Sequence, residues 1–193
     1  MINEVKENEI LWARVNEDVI IPTKRDEDAC YDIYAYFDED YKIIYPNETK
    51  IIHTGLYVAL NKKYKLELCE RGSTGTKGMG QRAGEIDSGY RGEIGVPITN
   101  HNNGMLIISK FIKEDGKVDE ETTNNVVFKG KTRHNASPYG VVPYGTVYYP
   151  YTKAITSGAI VEVPQMESKE ISIEELKAIP SARGEGSLGS SGK

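Results

Sequence analysis

The sequence predicts an all-β fold, and three observations carry that expectation. Short runs of β-type residues recur between Gly, Pro, Asn and Asp turn signals along most of the 193 residues. Only one late segment has both a helical start and a helical stop. Hydrophobic residues make up 38% of the chain, ordinary core-forming capacity for one domain, and no apolar run is long enough to cross a bilayer. With this punctuation the architecture is a sandwich, a jelly roll or a small barrel.

Taken in order, strands are predicted over 10–15, 31–36, 41–45, 51–60, 64–69, 93–99, 105–113, 126–129, 146–149 and 159–163. The helix starts at Ser172, which with Glu175 forms a capping-box signature ahead of Leu176, and Pro180 ends it. A β core over 1–180 is expected, interrupted within about 101–152 and followed by a Gly/Ser-rich tail over 181–193 that cannot hold itself in a core. The interruption has its own character. Asn102-Asn103-Gly104 is a turn, 113–125 is polar, and 138–151 mixes Gly, Pro and Tyr. A stretch of that size should carry its own hairpins and pack on the rim of the sheet.

Charge and composition exclude several function classes. The chain has 24 basic and 29 acidic residues, a formal charge of −5, which argues against duplex nucleic acid as the main partner. A small anion remains open through local Arg and backbone N–H groups. Two cysteines and three scattered histidines support neither a disulfide framework nor a zinc cage, so any metal should be held by oxygen. The N-terminus has neither a basic start nor an apolar run, and a cytoplasmic chain is expected. Thirteen tyrosines, concentrated over 31–45 and 139–151, read as half-buried strand residues.

Four segments carry chemistry. In Gly84-Glu-Ile-Asp-Ser-Gly-Tyr-Arg-Gly-Glu93 the Ser-Gly and Arg-Gly pairs predict a tight hairpin presenting Asp87 and Tyr90. There the carboxylate could act as a general base beside an aromatic wall, or the two could be a turn Asp and a packed Tyr. Glu70-Arg-Gly-Ser-Thr-Gly-Thr-Lys-Gly78 has the exposed N–H groups, forked guanidinium and small side chains of a phosphate cradle, or is a solvated turn; its spacing is not that of a Walker A loop. The tail around Arg183, Ser190 and Ser191 could close on an anion. Its G-x-G-x-x-G match has no preceding strand and no following helix, which rules out a dinucleotide fold. Asp32, in Asp28-Ala-Cys-Tyr-Asp-Ile33, could hold a metal-bound water or end a turn.

These segments, in this order, resemble the trimeric deoxyuridine triphosphatase (dUTPase) family: Ala29-x-Tyr31-Asp32-Ile33, Arg71-x-Ser73, Gly84-x-Ile86-Asp87-x-x-Tyr90-x-Gly92, and Arg183-Gly-x-Gly-x-x-Gly-x-Ser191-Gly192. The resemblance implies a jelly-roll-like barrel, a homotrimer with shared active sites, and hydrolysis of dUTP to dUMP and pyrophosphate. It implies that Asp87 activates the attacking water and that Mg²⁺ rides on the triphosphate, with Asp32 contacting it through water. Tyr90 would pack on the deoxyribose and exclude a 2′-hydroxyl. Backbone groups of Gly84, Ile86 and Gly95 would read uracil, with the Gln81 amide near the base. Arg71, Gly72 and Ser73 would take the α- and β-phosphates, while Arg183, Ser190 and Ser191 close on the β- and γ-phosphates.

The chain departs from that pattern in places. Cys30 replaces a usual Gly and Gly72 a usual Ser. Ile155-Thr156-Ser157 stands for Ile-Ala-Gln, putting the hydroxyl of Ser157 where an amide contacts phosphate. Leu188 takes the place of an aromatic that stacks on uracil, and Ser187 that of a glycine. Losing that stacking would cost on the order of 0.5–1.5 kcal/mol of lid closure and raise KM without abolishing chemistry. The 52 residues from 101 to 152 resemble the insertion in dUTPases of some phages and their Gram-positive hosts, which can contact regulatory proteins. A dUTPase-like binding module acting through this insertion is therefore the alternative. A dCTP deaminase, which shares fold and trimer, should lack the Asp87/Tyr90 pair.

Overall fold

Strand β1 (Ile10–Arg14) lies antiparallel to β5 (Leu56–Leu60), with Ile10 opposite Leu60 and Arg14 opposite Leu56. In β5 the buried Leu56, Val58 and Leu60 alternate with half-buried Tyr57 and Ala59, the period of two by which a strand lays one face on a core. The computed structural model describes residues 4–115, 145–182 and 184.

Three further sheets complete the β structure. The largest has the order β2 (Tyr31–Tyr34), β12 (Ala154–Glu162), β6 (Tyr64–Cys69), β8 (Glu85–Ile86), with every neighbour antiparallel. The second has the order β4 (Thr49–His53), β9 (Gly95–Asn100), β7 (Met79–Gln81). In the third, β10 (Leu106–Ser109) pairs antiparallel with β3 (Tyr41–Ile44) and parallel with β11 (Val147–Pro150). Single backbone bonds stitch sheets together, Ile94 N–H to Leu56 O at 2.8 Å and Tyr36 N–H to His53 O at 2.8 Å, while Leu68 N–H to Gly84 O at 2.8 Å extends the pairing of β6 with β8.

The inward faces enclose one core that includes Ile33, Ile44, Ile52, Leu66, Ile94, Ile98, Leu106 and Ile108. Its polar member on β9 is fully satisfied. The buried Asn100 side chain donates to Ile44 O at 2.9 Å and Gly104 O at 2.8 Å and accepts from the Asn102 N–H at 2.9 Å, tying β3, β9 and the following turn together. At Gly158 of β12 an added Cβ would stand 2.7 Å from Leu66 Cδ1 and 3.1 Å from Ile33 Cδ1, so the position is filled by its neighbours. Gly158→Val is expected to destabilise the fold by about 1–3 kcal/mol through overpacking. A urea denaturation midpoint equal to that of the parent would contradict this.

The expected strand over 51–60 is two strands in different sheets. The chain turns at Gly55, whose φ is +66° and whose Cβ, if present, would lie 2.6 Å from Val19 Cγ2. β12 begins at Ala154, five residues before the strand expected over 159–163. Strands β7 and β8 were not expected, being too short to form a recognisable run. The single expected helix is joined by a second, the one-turn α1 (Gly72–Gly75). The strand expected over 126–129 lies outside the described residues.

The chain divides into two compact units, Met1–Val163 and Pro164–Lys193. The second holds α2 (Ile173–Ala178), where the expected capping box is formed: Ser172 N–H donates to Glu175 Oε2 at 2.8 Å and Glu175 N–H to Ser172 Oγ at 3.1 Å. These bonds hold the Glu175 carboxyl below its ordinary range. Among the described residues no helix is long and apolar enough to cross a membrane.

Candidate active site

The site grows from the end of β6. Beyond Cys69 the chain leaves the sheet and α1 coils over the Arg71 carbonyl, which accepts from Thr74 N–H at 3.1 Å and Gly75 N–H at 2.8 Å. Buried Thr74 closes the turn reciprocally, its hydroxyl accepting from Arg71 N–H at 3.1 Å and donating to Arg71 O at 3.0 Å. Gly72 and Ser73 head the turn, where N–H groups have no carbonyl one turn earlier to bond. An added Cβ at Gly72 would meet nothing within 4 Å, so no steric requirement explains glycine there.

The register of the large sheet aligns Asp32 on β2 with Ser157 on β12 and Ser157 with Cys69 on β6. Residues directly opposite one another share a face, so Asp32 and Ser157 stand side by side next to the root of Arg71. The Arg71 guanidinium reaches back and pairs through Nη1 with the Asp32 carboxylate. Its Nε is buried and has no partner among the described residues. A forked cation with one buried donor unspent is what an incoming anion would complete. Ser157 donates to Cys69 O at 3.3 Å. Burial pushes the Cys69 thiol up, which is the opposite of what an activated nucleophile needs.

Gln81 sits here too, but its amide is occupied within the chain. Nε2 donates to Leu68 O at 2.7 Å, and Oε1 accepts from the buried Thr156 hydroxyl at 2.5 Å. The resemblance placed this amide at the base; the fold uses it to tie β7, β6 and β12 together. An added Cβ on Gly84 would stand 2.7 Å from Leu68 O, a backbone approach that only glycine permits.

Asp87 follows β8 at the other end of the sheet. It opens a turn closed by Tyr90 N–H to Asp87 O at 3.0 Å. The expected hairpin is not formed, because its arms pair elsewhere: β8 with β6, and β9 with β4 and β7. The turn is nonetheless braced. Arg91 Nη1 donates to Ser88 O at 2.6 Å and Tyr90 O at 2.7 Å, and Tyr90 Oη donates to Glu93 O at 3.0 Å. Glu93 in turn accepts from Gly55 N–H at 2.8 Å and from His53 Nδ1 at 3.1 Å. The Tyr90 ring lies over Gly92, where any Cβ would collide with it. Tyr90 is 44% exposed. The Asp87 carboxylate is exposed and makes no hydrogen bond or ion pair among the described residues. Ile86 lies opposite Leu66 and Gly95 opposite His53.

Two clusters therefore exist in one chain. With Ile86 opposite Leu66, Asp87 follows on past the pairing toward the start of β6, whereas Arg71 follows the last residue of β6, Cys69. The two clusters therefore lie at opposite ends of that strand. Arg183, Leu188, Ser190 and Ser191 lie outside the described residues, and among those described no three His, Cys, Asp or Glu side chains gather as a metal cage.

The sequence profile of dUTPase matches residues 16–113, just over half of the chain and inclusive of both clusters except Ser157. The chain belongs to the dUTPase family. The deoxyuridine 5′-triphosphate nucleotidohydrolase of Clostridium novyi is 34% identical to this dUTPase-family chain over 115 residues, covering 54% of this chain and 79% of that one. The enzyme of the same name from Alkaliphilus metalliredigens is 32% identical over 104 residues, covering 52% and 70%. Among solved structures, Staphylococcus bacteriophage 80alpha dUTPase with dUpNHpp superposes with a TM-score of 0.67 at 24% identity, covering 96% of this chain and 99% of that one. The dUTPase of phage phi11 of S. aureus, in a structure visualising a species-specific insert, gives 0.61 at 21% identity, covering 85% and 96%. A variant of the phi11 enzyme is described with a structural Mg(II) ion. These likenesses establish the mostly β dUTPase fold for the chain.

Proposed function

We propose that this dUTPase-family enzyme hydrolyses dUTP to dUMP and pyrophosphate, with Arg71 and Asp32 of one subunit facing Asp87 and Tyr90 of another. The observation that carries the reading is the paired arrangement itself: an Arg71–Asp32–Ser157 cradle with a buried unspent donor, and a rigid turn presenting an unpaired carboxylate beside an aromatic ring. The separation of the two along β6 supports a site completed by a second copy, and the family's homotrimer provides that arrangement.

In this reading Asp87 takes the proton of the water that attacks the α-phosphorus. Arg71, the Gly72 N–H and Ser73 hold the α- and β-phosphates, with Ser157 alongside. Tyr90, locked by its bond to Glu93, packs on the deoxyribose and leaves no space for a 2′-hydroxyl. Backbone groups at Gly84, Ile86 and Gly95 read the uracil edge, and Gln81 supports them by positioning Leu68. In the tail, Arg183, Ser190 and Ser191 close on the outer phosphates and Leu188 covers the base. A bound Mg²⁺ supplies charge neutralisation on the triphosphate. The residues fit such an ion: Asp32, held by its pairing with Arg71, offers one oriented carboxylate for a water-mediated contact, and among the described residues no protein cage competes for it.

The test is pyrophosphate release from dUTP, UTP, dTTP and dCTP with Mg²⁺ and with a chelator. Rapid turnover of dUTP alone, lost on chelation and restored by Mg²⁺, is expected. Ammonia release from dCTP, or no turnover of dUTP, would overturn the reading.

A further inference from the structure

Tyr149 is a polar anomaly in the core. It lies on β11, the strand by which the chain returns from residues 116–144, and is 1% exposed. A buried phenol at a strand position that Ile or Val would fill as well needs a reason for its hydroxyl, since that hydroxyl must find a partner. Here it donates to Ala154 O at 2.6 Å.

That carbonyl sits at a singular place. The pairing of β12 with β2 slips between Ala154 and Thr156: Ala154 lies opposite Tyr34 and Thr156 opposite Ile33, so two steps on β12 match one on β2. Such a bulge reverses the facing of every residue beyond it. It is what turns Ser157 to the face of Asp32. The phenol thus clamps the residue at which the facing is set. Burial is the largest influence on the phenol and pushes it up, keeping it neutral, with Ser73, Arg71 and Asp32 close enough to act on it as well.

We propose that Tyr149 is a positioning residue that fixes the bulge of β12 and so holds Ser157 on the face of Asp32 in the phosphate cradle. It touches no substrate. It acts through the Ala154 carbonyl at the bulge, and it places β11 in direct mechanical contact with the strand that carries Ser157. This inference rests on the dUTPase reading of that site.

The test is Tyr149→Phe, which removes one oxygen and keeps the ring. The KM for dUTP is expected to rise about five- to tenfold, the scale of one lost positioning hydrogen bond. The inhibition constant of deoxyuridine, which lacks phosphates, should stay within about twofold of the parent. Ser157→Ala should raise KM in the parent but add little in the Tyr149→Phe background, because Tyr149 acts through the placement of Ser157. Incorporation of 4-fluorophenylalanine at 149, which keeps the ring and fills the space of the oxygen without donating, is read in the same way if the Phe variant does not fold. An unchanged KM, equal weakening of dUTP and deoxyuridine, or additive effects with Ser157→Ala would overturn the inference. A parent enzyme without dUTP turnover would instead overturn the function, so the two failures are distinguishable.

Discussion

Asp87→Asn is expected to lower kcat for dUTP by about 10²–10⁴-fold, the range supplied by a positioned general base. The substitution preserves shape and removes only the ability to accept a proton. Three features make so large an effect the expectation. The carboxylate has no partner among the described residues, so no cation competes for its charge. Its turn is held by the Tyr90 N–H, by Arg91 on two carbonyls and by Tyr90 on Glu93, so the group is presented without an entropic cost at the moment of reaction. Finally, nothing else in the fold depends on it, so the melting temperature should be unchanged. Single-turnover kinetics and binding of a non-hydrolysable imido analogue separate chemistry from affinity. Retention of more than about a tenth of the parent kcat would remove Asp87 from the role of base.

The second large effect is recovery of activity from two dead proteins. Arg71→Ala removes the cation of one cluster and Asp87→Asn the base of the other, and each homo-oligomer should be inactive. In one chain these residues follow opposite ends of β6 and its pairing with β8. If each site draws Arg71 from one subunit and Asp87 from its neighbour, mixed oligomers contain some sites with both parent residues. Random reassortment of equal amounts gives about a quarter of all sites in that state. Co-refolding the two variants from denaturant and measuring pyrophosphate release checks this. Activity no higher than the sum of the separate variants would mean that one chain supplies both residues to its own site.

Much of the site was legible because its chemistry is local. The turn carrying Asp87 and Tyr90 announces itself through Ser88-Gly89 and Arg91-Gly92, and the Tyr90 ring lies over Gly92, where an added Cβ would meet it. The cap of α2 was equally plain, since Ser172 and Glu175 satisfy each other within four residues. What failed was pairing. The hairpin expectation assumed that neighbouring arms bond to each other, whereas both found partners far away in sequence. The family resemblance placed Gln81 near the base, and in the chain Leu68 and Thr156 take both ends of its amide. Nothing near Gln81 in the chain signals a partner 75 residues on.

The recurring β-type runs and the resemblance of four segments to one family were enough to reach an all-β dUTPase-like fold and to propose its acid–base and phosphate-binding side chains. Those features depend on backbone freedom and charge within a few residues. Which groups meet was settled only by folding. The register that puts Asp32 beside Ser157, the parallel pairing of β10 with β11, the bulge at Ala154 and the placement of Asp87 and Arg71 at opposite ends of β6 all arise from non-local strand pairing. A one-residue slip in any of those ladders would turn the same side chains to the opposite face, and no local pattern specifies against it.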